Sequence, residues 1–461
     1  MSTRKPVTSM AVNSVDELVY GKCKNPITTK MGIEIGGGTV YPELNHTLPP
    51  MIVNESTIQE AYDIYREMIE GILKRAVELH QDAVTIEYET VPDFTEHPKY
   101  GIESTKIILD VMKEYNAKYG IKSALRATPN DMREMTRPPV MRSGSFWDGM
   151  LEFFNGCGEV GADYLSIEST GGKEIHDEAL QMCRLDQSIF AMGVMAATDM
   201  EFLWSHMVDI CNKHGMIAAG DSSCGFANTA MVLAENGYIP RTFAAVVRVA
   251  SVPRALMAYE MGATGPSKDC EYIGGYLKAI TGAPIAMEGR MACGAHLSPV
   301  GNAALVLPDL WSNESIQQVQ LLSGSAVTAG MEQLIYDCRM MNTATKLGYQ
   351  KQMMEILQES DCHLDPHAYI LRPDVIMQIA PEIIKSENPL VRTKTAAACA
   401  VKVLKDAVKD GKVAVDERDA AYLDIMEEQI ADIPDDANKF WEEIKEDLDL
   451  SKFTAKDYDL A

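Results

Sequence analysis

The fold is decided by a pattern that residues 162–185, ADYLSIESTGGKEIHDEALQMCRL, show most clearly. The segment Ala162–Ser169 is a short run rich in apolar residues, which predicts a buried strand. Glycines follow it, and apolar residues then recur at helical spacing from Glu174 to Leu185. A strand followed by such a helix is one βα unit, from which parallel sheets are built.

The same rhythm recurs from residue 83 onward. Further strands are predicted at Ala83–Tyr88, Lys122–Ala127, Ser188–Val194, Met216–Ser223 and Pro284–Gly289, with Ser323–Ala329 as a less distinct last strand. Helices are predicted between them at Glu103–Lys118, Phe146–Asn155, Met200–Lys213, Ala227–Glu235, Phe243–Met261 and Tyr272–Thr281. About eight units in about 250 residues predict an α/β fold, a (β/α)₈ TIM-type barrel. An open doubly wound sheet is the alternative, but the glycine-rich first turn that it requires is not found.

The regions flanking this pattern give three predicted parts: an N-terminal extension and helix at 1–80, the barrel at 81–345, and an acidic helical region at 346–461. Residues 1–45 are predicted to be irregular. Their run GIEIGGGTVYPELN at 32–45 predicts a close-packed turn that needs positive φ, because no Gly-Lys-Ser/Thr of a phosphate loop follows. Residues 416–461 hold 16 acidic and 5 basic residues, typical of a solvated helical face or of an acidic docking surface.

Composition excludes several classes of protein. The 461 residues include 42 Lys plus Arg and 67 Asp plus Glu, a net charge of -25, which argues against binding to nucleic acid or to an anionic membrane. No segment approaches the roughly 18 consecutive apolar residues of a spanning helix, and no apolar signal segment follows the N-terminus. We therefore expect a cytoplasmic protein.

The cysteines indicate a reducing environment. Ten are scattered along the chain without a CxxC pair, at positions 23, 157, 183, 211, 224, 270, 293, 338, 362 and 399. A disulfide framework is typical of small secreted chains, so most of these cysteines are expected to be buried thiols. One or two remain available as metal ligands or nucleophiles.

Three reactive side chains end predicted strands. Glu168 ends YLSIES, Cys224 ends IAAGDSSC, and Cys270 ends ATGPSKDC. Strand ends of a barrel converge on one mouth, where two thiolates and a carboxylate would form a zinc site with an open fourth position. Each residue also has a structural interpretation: Glu168 as a helix cap, and the two cysteines as packed thiols.

Two other groups of residues compete as metal ligands. Cys293 and His296 follow the strand at Pro284–Gly289 and are the second choice. Cys362, His363 and His367 lie outside the barrel segment, and Pro366 interrupts the helix that would align them. The sequence contains no HExxH, GxSxG or Walker motif, so metalloprotease, α/β-hydrolase and P-loop functions are not favoured.

The remaining polar strand-end residues are candidates for a proton donor or for groups that orient the ligands. They are Glu87, Glu89, Arg126, Asp221, Lys268 and Asp269.

Three stretches carry a resemblance to a known family: GADYLSIESTGGKE (161–174), MIAAGDSSCGFANTAM (216–231) and MGATGPSKDCEYIGGYLKAITGAPIAMEGR (261–290). They are similar to the zinc-containing subunit of methanol–corrinoid methyltransferases of methanogenic archaea, and the similarity extends over essentially the whole chain. The resemblance implies a (β/α)₈ barrel that binds one Zn²⁺ per chain through Glu168, Cys224 and Cys270, with Cys293 as the alternative second thiolate. Related methyltransferases that methylate coenzyme M use a His-x-Cys pair, which this sequence lacks.

The family reaction moves the methyl group of methanol to a cob(I)alamin-type corrinoid held on a partner protein, a step of methanogenesis. Hydroxide is a poor leaving group, so zinc is expected to act as a Lewis acid on the alcohol oxygen. Two thiolates and one carboxylate weaken that Lewis acid, so we hypothesise a proton donor beside it. Glu87 is the first candidate for this donor, and Lys268 and Asp269 are the others. A homodimer within a larger hetero-oligomer is expected. Two alternatives remain, a zinc hydrolase or lyase on the same barrel and a non-catalytic scaffold for a corrinoid protein.

Overall fold

The computed structural model describes residues 2–221, 224–268, 272–315, 321 and 324–460, without the side chains of residues 314 and 315. Its strands are β1 (Lys22–Thr28), β2 (Glu34–Gly37), β3 (Tyr41–His46), β4 (Ala83–Glu89), β5 (Lys122–Thr128), β6 (Tyr164–Ile167), β7 (Ile217–Asp221), β8 (Ala286–Glu288) and β9 (Leu310–Ser315). The first two form an antiparallel hairpin, and the other seven form one parallel sheet in the order β7-β6-β5-β4-β3-β9-β8. The sheet therefore curls, with β7 and β8 at its two edges.

The segment 264–268 joins these two edges. On one side, the Thr264 N–H donates to the Ala218 carbonyl in β7 at 2.8 Å. On the other side, the Ala286 N–H in β8 donates to the Ser267 carbonyl at 3.1 Å. The segment acts as the remaining barrel strand, which confirms the predicted TIM-type barrel.

Helices cover the outside of this barrel, and apolar helix faces pack on the strands or on neighbouring helices. Several end at a left-handed glycine, such as Gly120 and Gly215, which stops the helix before the next strand. The helices are α1 (Ile58–Glu78), α2 (Pro92–Glu96), α3 (Pro98–Tyr119), α4 (Ser145–Val160), α5 (Lys173–Gln181), α6 (Leu185–Phe190), α7 (Ala197–His214), α8 (Thr229–Glu235), α9 (Arg241–Ala250), α10 (Val252–Met261), α11 (Gly274–Thr281), α12 (Arg290–Ala295), α13 (Gly301–Ala304) and α14 (Ala326–Lys346).

The C-terminal region consists mainly of helices. Asn388 caps the long helix there by accepting from the Leu390 N–H, and Gly411 follows its end with positive φ. No helix in the described ranges is long and apolar enough to cross a bilayer. The helices are α15 (Gln350–Asp361), α16 (Pro366–Tyr369), α17 (Pro373–Ile383), α18 (Pro389–Lys409), α19 (Glu417–Ala431) and α20 (Ala437–Ile444).

Three sequence predictions about strands were wrong. Residues 1–45 are not irregular, since they contain the hairpin and most of β3. Residues 188–194 are helical, in α6 and a π-helical stretch Ala191–Ala196, because an apolar run buried on all sides lacks the period that separates strand from helix. The last strand is β9 rather than 323–329, from which α14 begins at Ala326. The sequence of β9, LWSNES, is too polar to be recognised as a buried strand.

The barrel interior changes character from one end to the other. At the amino ends of the strands, Ile33 and Ile35 of the hairpin pack with apolar residues from six strands and close the barrel. One layer higher, Arg126 of β5 forms a buried ion pair with Glu43 of β3, at 2.7 Å, and donates to the Pro266 carbonyl. Because β3 and β5 are not neighbours in the sheet, the Arg126–Glu43 pair must cross the barrel interior. These polar side chains therefore fill the barrel below its carboxyl-end mouth.

Candidate functional site

A small cavity lies at the barrel mouth, where the loops after β4, β5 and β6 meet the segment after β7. Its volume is about 160 Å³, which is below the roughly 300 Å³ of the smallest drug-sized ligand pockets. Such a cavity accommodates a small molecule and a few waters. It is lined by Glu89, Pro92, Thr128, Pro129, Asn130, Asp131, Glu134, Met135, Glu168, Ser169, Thr170, Lys173 and Gly225.

A buried lysine brings together three carboxylates beside this cavity. Lys268 Nζ lies 3.0 Å from Glu89 Oε2, 3.0 Å from Glu168 Oε1 and 3.6 Å from Glu87 Oε1. The four side chains come from β4, from the loop after β6 and from the strand segment that closes the barrel. Four residues singled out from the sequence are thus brought together at the mouth: Glu87, Glu89, Glu168 and Lys268.

The two carboxylates of β4 differ in protonation. Burial raises the pKa of Glu87 to about 7, although the charges of Lys268 and Arg126 oppose this shift. Thr128 Oγ1 donates to Glu87 Oε1 at 2.7 Å. Burial also acts on Glu89, but the charge of Lys268 and hydrogen bonds from Asn45 and Lys268 outweigh it, so its pKa is lowered. Near neutral pH, Glu87 therefore holds a proton for a large part of the time while Glu89 is ionised.

The loop that carries Glu168 is fixed by buried polar contacts. Thr170 donates to Asp131 Oδ2 through its N–H at 2.9 Å and its hydroxyl at 3.0 Å. Arg133 pairs with Asp131 and with Asp199, each at 2.7 Å. A Cβ on Gly171 would lie 2.4 Å from Asp199 Oδ2, so only glycine fits there. The loop after β6 is thus held in place by contacts with the loop after β5 and with Asp199 of α7.

The C-terminal end of the chain also reaches this loop. The Gly172 N–H donates to the Tyr458 hydroxyl oxygen at 3.1 Å, and the Met141 N–H donates to Asp457 Oδ2 at 2.9 Å. Deleting the acidic region would therefore remove support for the mouth as well as acidic surface.

Cys224 begins a π-helical turn, Cys224–Asn228, just after β7. Its neighbour Gly225 lines the cavity, and a Cβ there would lie 2.9 Å from Lys173 Cε, so glycine lets this turn approach the loop after β6. Cys224 is disulfide-bonded, whereas the other eight described cysteines are free thiols. As a metal ligand it must be reduced to the thiolate.

Two predicted residues, Asp269 and Cys270, lie outside the described residues. Within the part of the chain that the structure describes, no group of three or more His, Cys, Asp or Glu has a metal-binding arrangement. The full set of Glu168, Cys224 and Cys270 therefore stays a prediction.

The competing metal ligands have other partners. Cys293 donates through its thiol to the Tyr272 hydroxyl oxygen at 3.2 Å, and burial raises the pKa of Cys293 to about 12. His363 is exposed and hydrogen-bonded to Glu359 and to the Lys412 carbonyl. Neither environment favours a metal-binding thiolate or imidazole at these positions.

Other sequence candidates have structural roles, and several site residues were missed. Arg126 is paired below the site, and Asp221 pairs with Arg254 at 3.1 Å. Thr128 and Lys173 contact or line the site without having been singled out. Thr128 ends the strand that contains Arg126, and that position was its only signal in the sequence.

The comparisons with known proteins fit this geometry. A family model described as the methanol-cobalamin methyltransferase B subunit, MtaB, matches residues 4–459. This chain belongs to that family. Methanol–corrinoid protein co-methyltransferase from Methanosarcina barkeri (strain Fusaro / DSM 804) is 35% identical over 445 residues, which cover 95% of each protein. The family predicted from the sequence is thereby confirmed.

A solved structure confirms the fold of this MtaB family member. It is the crystal structure of the methanol:cobalamin methyltransferase complex MtaBC from Methanosarcina barkeri. The matching chain is 33% identical, with a TM-score of 0.93, and the match covers 99% of this chain and 100% of that chain. The (β/α)₈ architecture is thus shared along the whole length.

Proposed function

We propose that this chain is a methyltransferase that activates methanol and transfers its methyl group to a cob(I)alamin-type corrinoid on a partner protein. The observation that carries the proposal is the match of the family model to residues 4–459. The small polar cavity at the barrel mouth supports it, because active sites of this fold lie at the carboxyl ends of the strands. The size of the cavity suits a one-carbon alcohol.

Glu168, Cys224 and Cys270 are the proposed ligands of one Zn²⁺ per chain. The Glu168 carboxylate lines the cavity that Gly225, the neighbour of Cys224, also lines. A carboxylate with soft thiolates is a donor set that suits zinc, and three protein ligands leave a position for the substrate. The described residues thus fit the metal, provided that Cys224 is reduced.

The chemical difficulty is the departure of hydroxide from methanol. Bound zinc supplies Lewis acidity at the alcohol oxygen. The chain supplies hydrogen-bond donors around the same point, since the ammonium of Lys268 lies 3.0 Å from Glu168 Oε1. Glu87, 3.6 Å from Lys268, is the proposed source of the proton, because burial raises its pKa to about 7 and it can therefore carry a proton near neutral pH. Asp269 remains an alternative donor.

The cavity is too small for a corrinoid ring, so the corrinoid must approach from outside on its own protein. The mouth presents exposed apolar side chains on four of its loops: Ile52, Met135, Met291, Leu297 and Leu321. Leu297 keeps its exposed side chain although its φ is +55°, a conformation unfavourable for a bulky residue. We propose this rim as the docking surface for the corrinoid protein. A homodimer within the complex and a cytoplasmic location remain predictions.

The test is methyl transfer with purified components under reducing conditions. Methyl–cobalt formation is followed by absorbance with methanol and the corrinoid protein, and zinc is measured by elemental analysis. We expect about one zinc per chain, loss of transfer after chelation, and recovery when zinc is restored. Metal-dependent turnover without any corrinoid would instead indicate a hydrolase or lyase. Undiminished transfer by Cys224→Ala would indicate a scaffold.

A further inference from the structure

Arg254, near the start of α10, contacts the two chain segments that carry the proposed ligands Glu168 and Cys224. Its Nη1 lies 3.1 Å from Asp221 Oδ1 at the end of β7. Its Nη2 donates to the Ser169 carbonyl at 2.8 Å and to Ser169 Oγ at 2.6 Å, in the loop after β6. Its guanidinium carbon lies 4.2 Å from the centre of the Phe226 ring. All four residues are buried.

The residues that Arg254 contacts lie close to the two proposed ligands along the chain. Ser169 directly follows Glu168, while Asp221 and Phe226 lie on either side of Cys224. The backbone of the first segment and two side chains of the second therefore converge on one guanidinium. A shift of either segment would break contacts that Arg254 makes with the other.

The geometry requires arginine in particular. The edge of the planar guanidinium donates to a carboxylate, a carbonyl and a hydroxyl at once, while its face packs on an aromatic ring. A lysine ammonium retains the charge for Asp221 but has neither a second donor arm nor a planar face. The substitution Arg254→Lys thus keeps the positive charge while removing the contacts that hold the two segments in position.

We infer that Arg254 is a positioning residue that sets the separation of Glu168 and Cys224 and so preorganises the metal site. The inference rests on the proposed function, because it needs these two residues to be ligands. It acts on metal binding itself, before any substrate is present. Residues that orient metal ligands in this way are part of the site although they do not touch the metal.

The test compares variants with the wild type in two measurements on the reduced full-length chain. The first is zinc affinity, by competition with a chromophoric chelator, and the second is the absorption spectrum after Co²⁺ substitution. Arg254→Lys should weaken zinc binding by about 10- to 100-fold, the range for groups that orient ligands, and should change the Co²⁺ spectrum. The matched control is Arg392→Lys, another buried arginine, which pairs with Glu260 and donates to the Val7 carbonyl, neither of which belongs to the ligand segments. This control should leave both readouts unchanged.

Phe226→Leu provides a second variant that keeps the buried ion pair and an apolar side chain at this position. It should weaken zinc binding by about threefold, since Arg254 loses its contact with the ring face but keeps its ion pair and hydrogen bonds, and it serves where Arg254→Lys does not fold. If Arg254→Lys folds and has the zinc affinity and Co²⁺ spectrum of the wild type, the inference is overturned. If Arg254→Lys does not fold, the same result for Phe226→Leu overturns it. Cys224→Ala distinguishes failure of the proposed metal site from failure of the role of Arg254. Retention of zinc by Cys224→Ala would overturn the metal site and, with it, the role of Arg254.

Discussion

The two ends of the barrel are built by the same strands but have opposite chemistry. At the amino end, residues such as Ala83, Ala124 and Leu310 form an apolar layer closed by the hairpin. At the carboxyl end, inward positions hold Glu87, Glu168 and their neighbours around Lys268. Because inward-facing residues recur every second position, a strand can contribute to packing at one end and to chemistry at the other. The comparison predicts that substitutions at the two ends affect different measurements.

The largest expected effect is at the mouth. Cys224→Ala should lose zinc and reduce methyl transfer by about 10³-fold or more, since the metal position depends on every ligand. Elemental analysis and the corrinoid methylation assay measure the two effects. Cys293→Ala is the matched control, a buried thiol near the mouth that should retain zinc. Zinc lost from the Cys293 variant and kept by the Cys224 variant would reverse the ligand assignment.

The next effect separates proton supply from charge at the same end. Glu87→Gln keeps an acceptor for the Thr128 hydroxyl but cannot supply a proton, so the transfer rate should fall by about 100-fold. In the wild type the protonated form is active, so kcat should be highest below pH 7 and fall as pH rises through about 7. The variant should lack this decline. The control is Glu89→Gln, which removes a charge but not the proposed proton donor, so this variant should still show the decline of kcat with pH. A decline near pH 7 that persists in Glu87→Gln would exclude Glu87 as the donor.

The amino end should respond in stability rather than in activity. Ile35→Ala opens a cavity in the apolar layer and should lower the free energy of unfolding by about 3 kcal/mol, with zinc content and kcat unchanged. Urea denaturation measures the loss. Ile27→Ala, on the same hairpin but partly buried, should cost about 1 kcal/mol or less. An equal loss of zinc at this end would show that the two ends are not independent.

The smallest effect concerns docking at the rim. Leu297→Asp should weaken binding of the corrinoid protein by about tenfold, because it places a charge in an apolar contact while leaving the zinc site intact. Leu347→Asp is the control: its exposed fraction is 61% compared with 67% for Leu297, and it follows α14, whose Asn342 bonds to Val40 at the opposite end. Binding is measured by titration of one protein into the other. Equal affinity of both variants would remove the rim from the interface.

The sequence predicted the barrel and part of the site because strand–helix alternation and strand-end position are local signals. It located β4, β5, β6, β7 and β8, and it singled out Glu87, Glu168 and Lys268, which the structure brings together. It missed β3 and β9, whose inward residues are polar and break the apolar pattern. It also gave no indication of Arg254 or Tyr458, which lie far along the chain from the loop that they support.

The sequence by itself determined the class of fold, the acidic composition, and the residue types available at the strand ends, because these depend on neighbouring residues and on side-chain chemistry. The tertiary structure decided which of them meet. Closure of the barrel by 264–268 places Lys268 between the carboxylates of β4 and that of the loop after β6. Burial there raises the pKa of Glu87, whereas Lys268 and hydrogen bonds lower the pKa of Glu89. Contact across a closed barrel and loss of solvent are properties of the folded chain, which no local pattern contains.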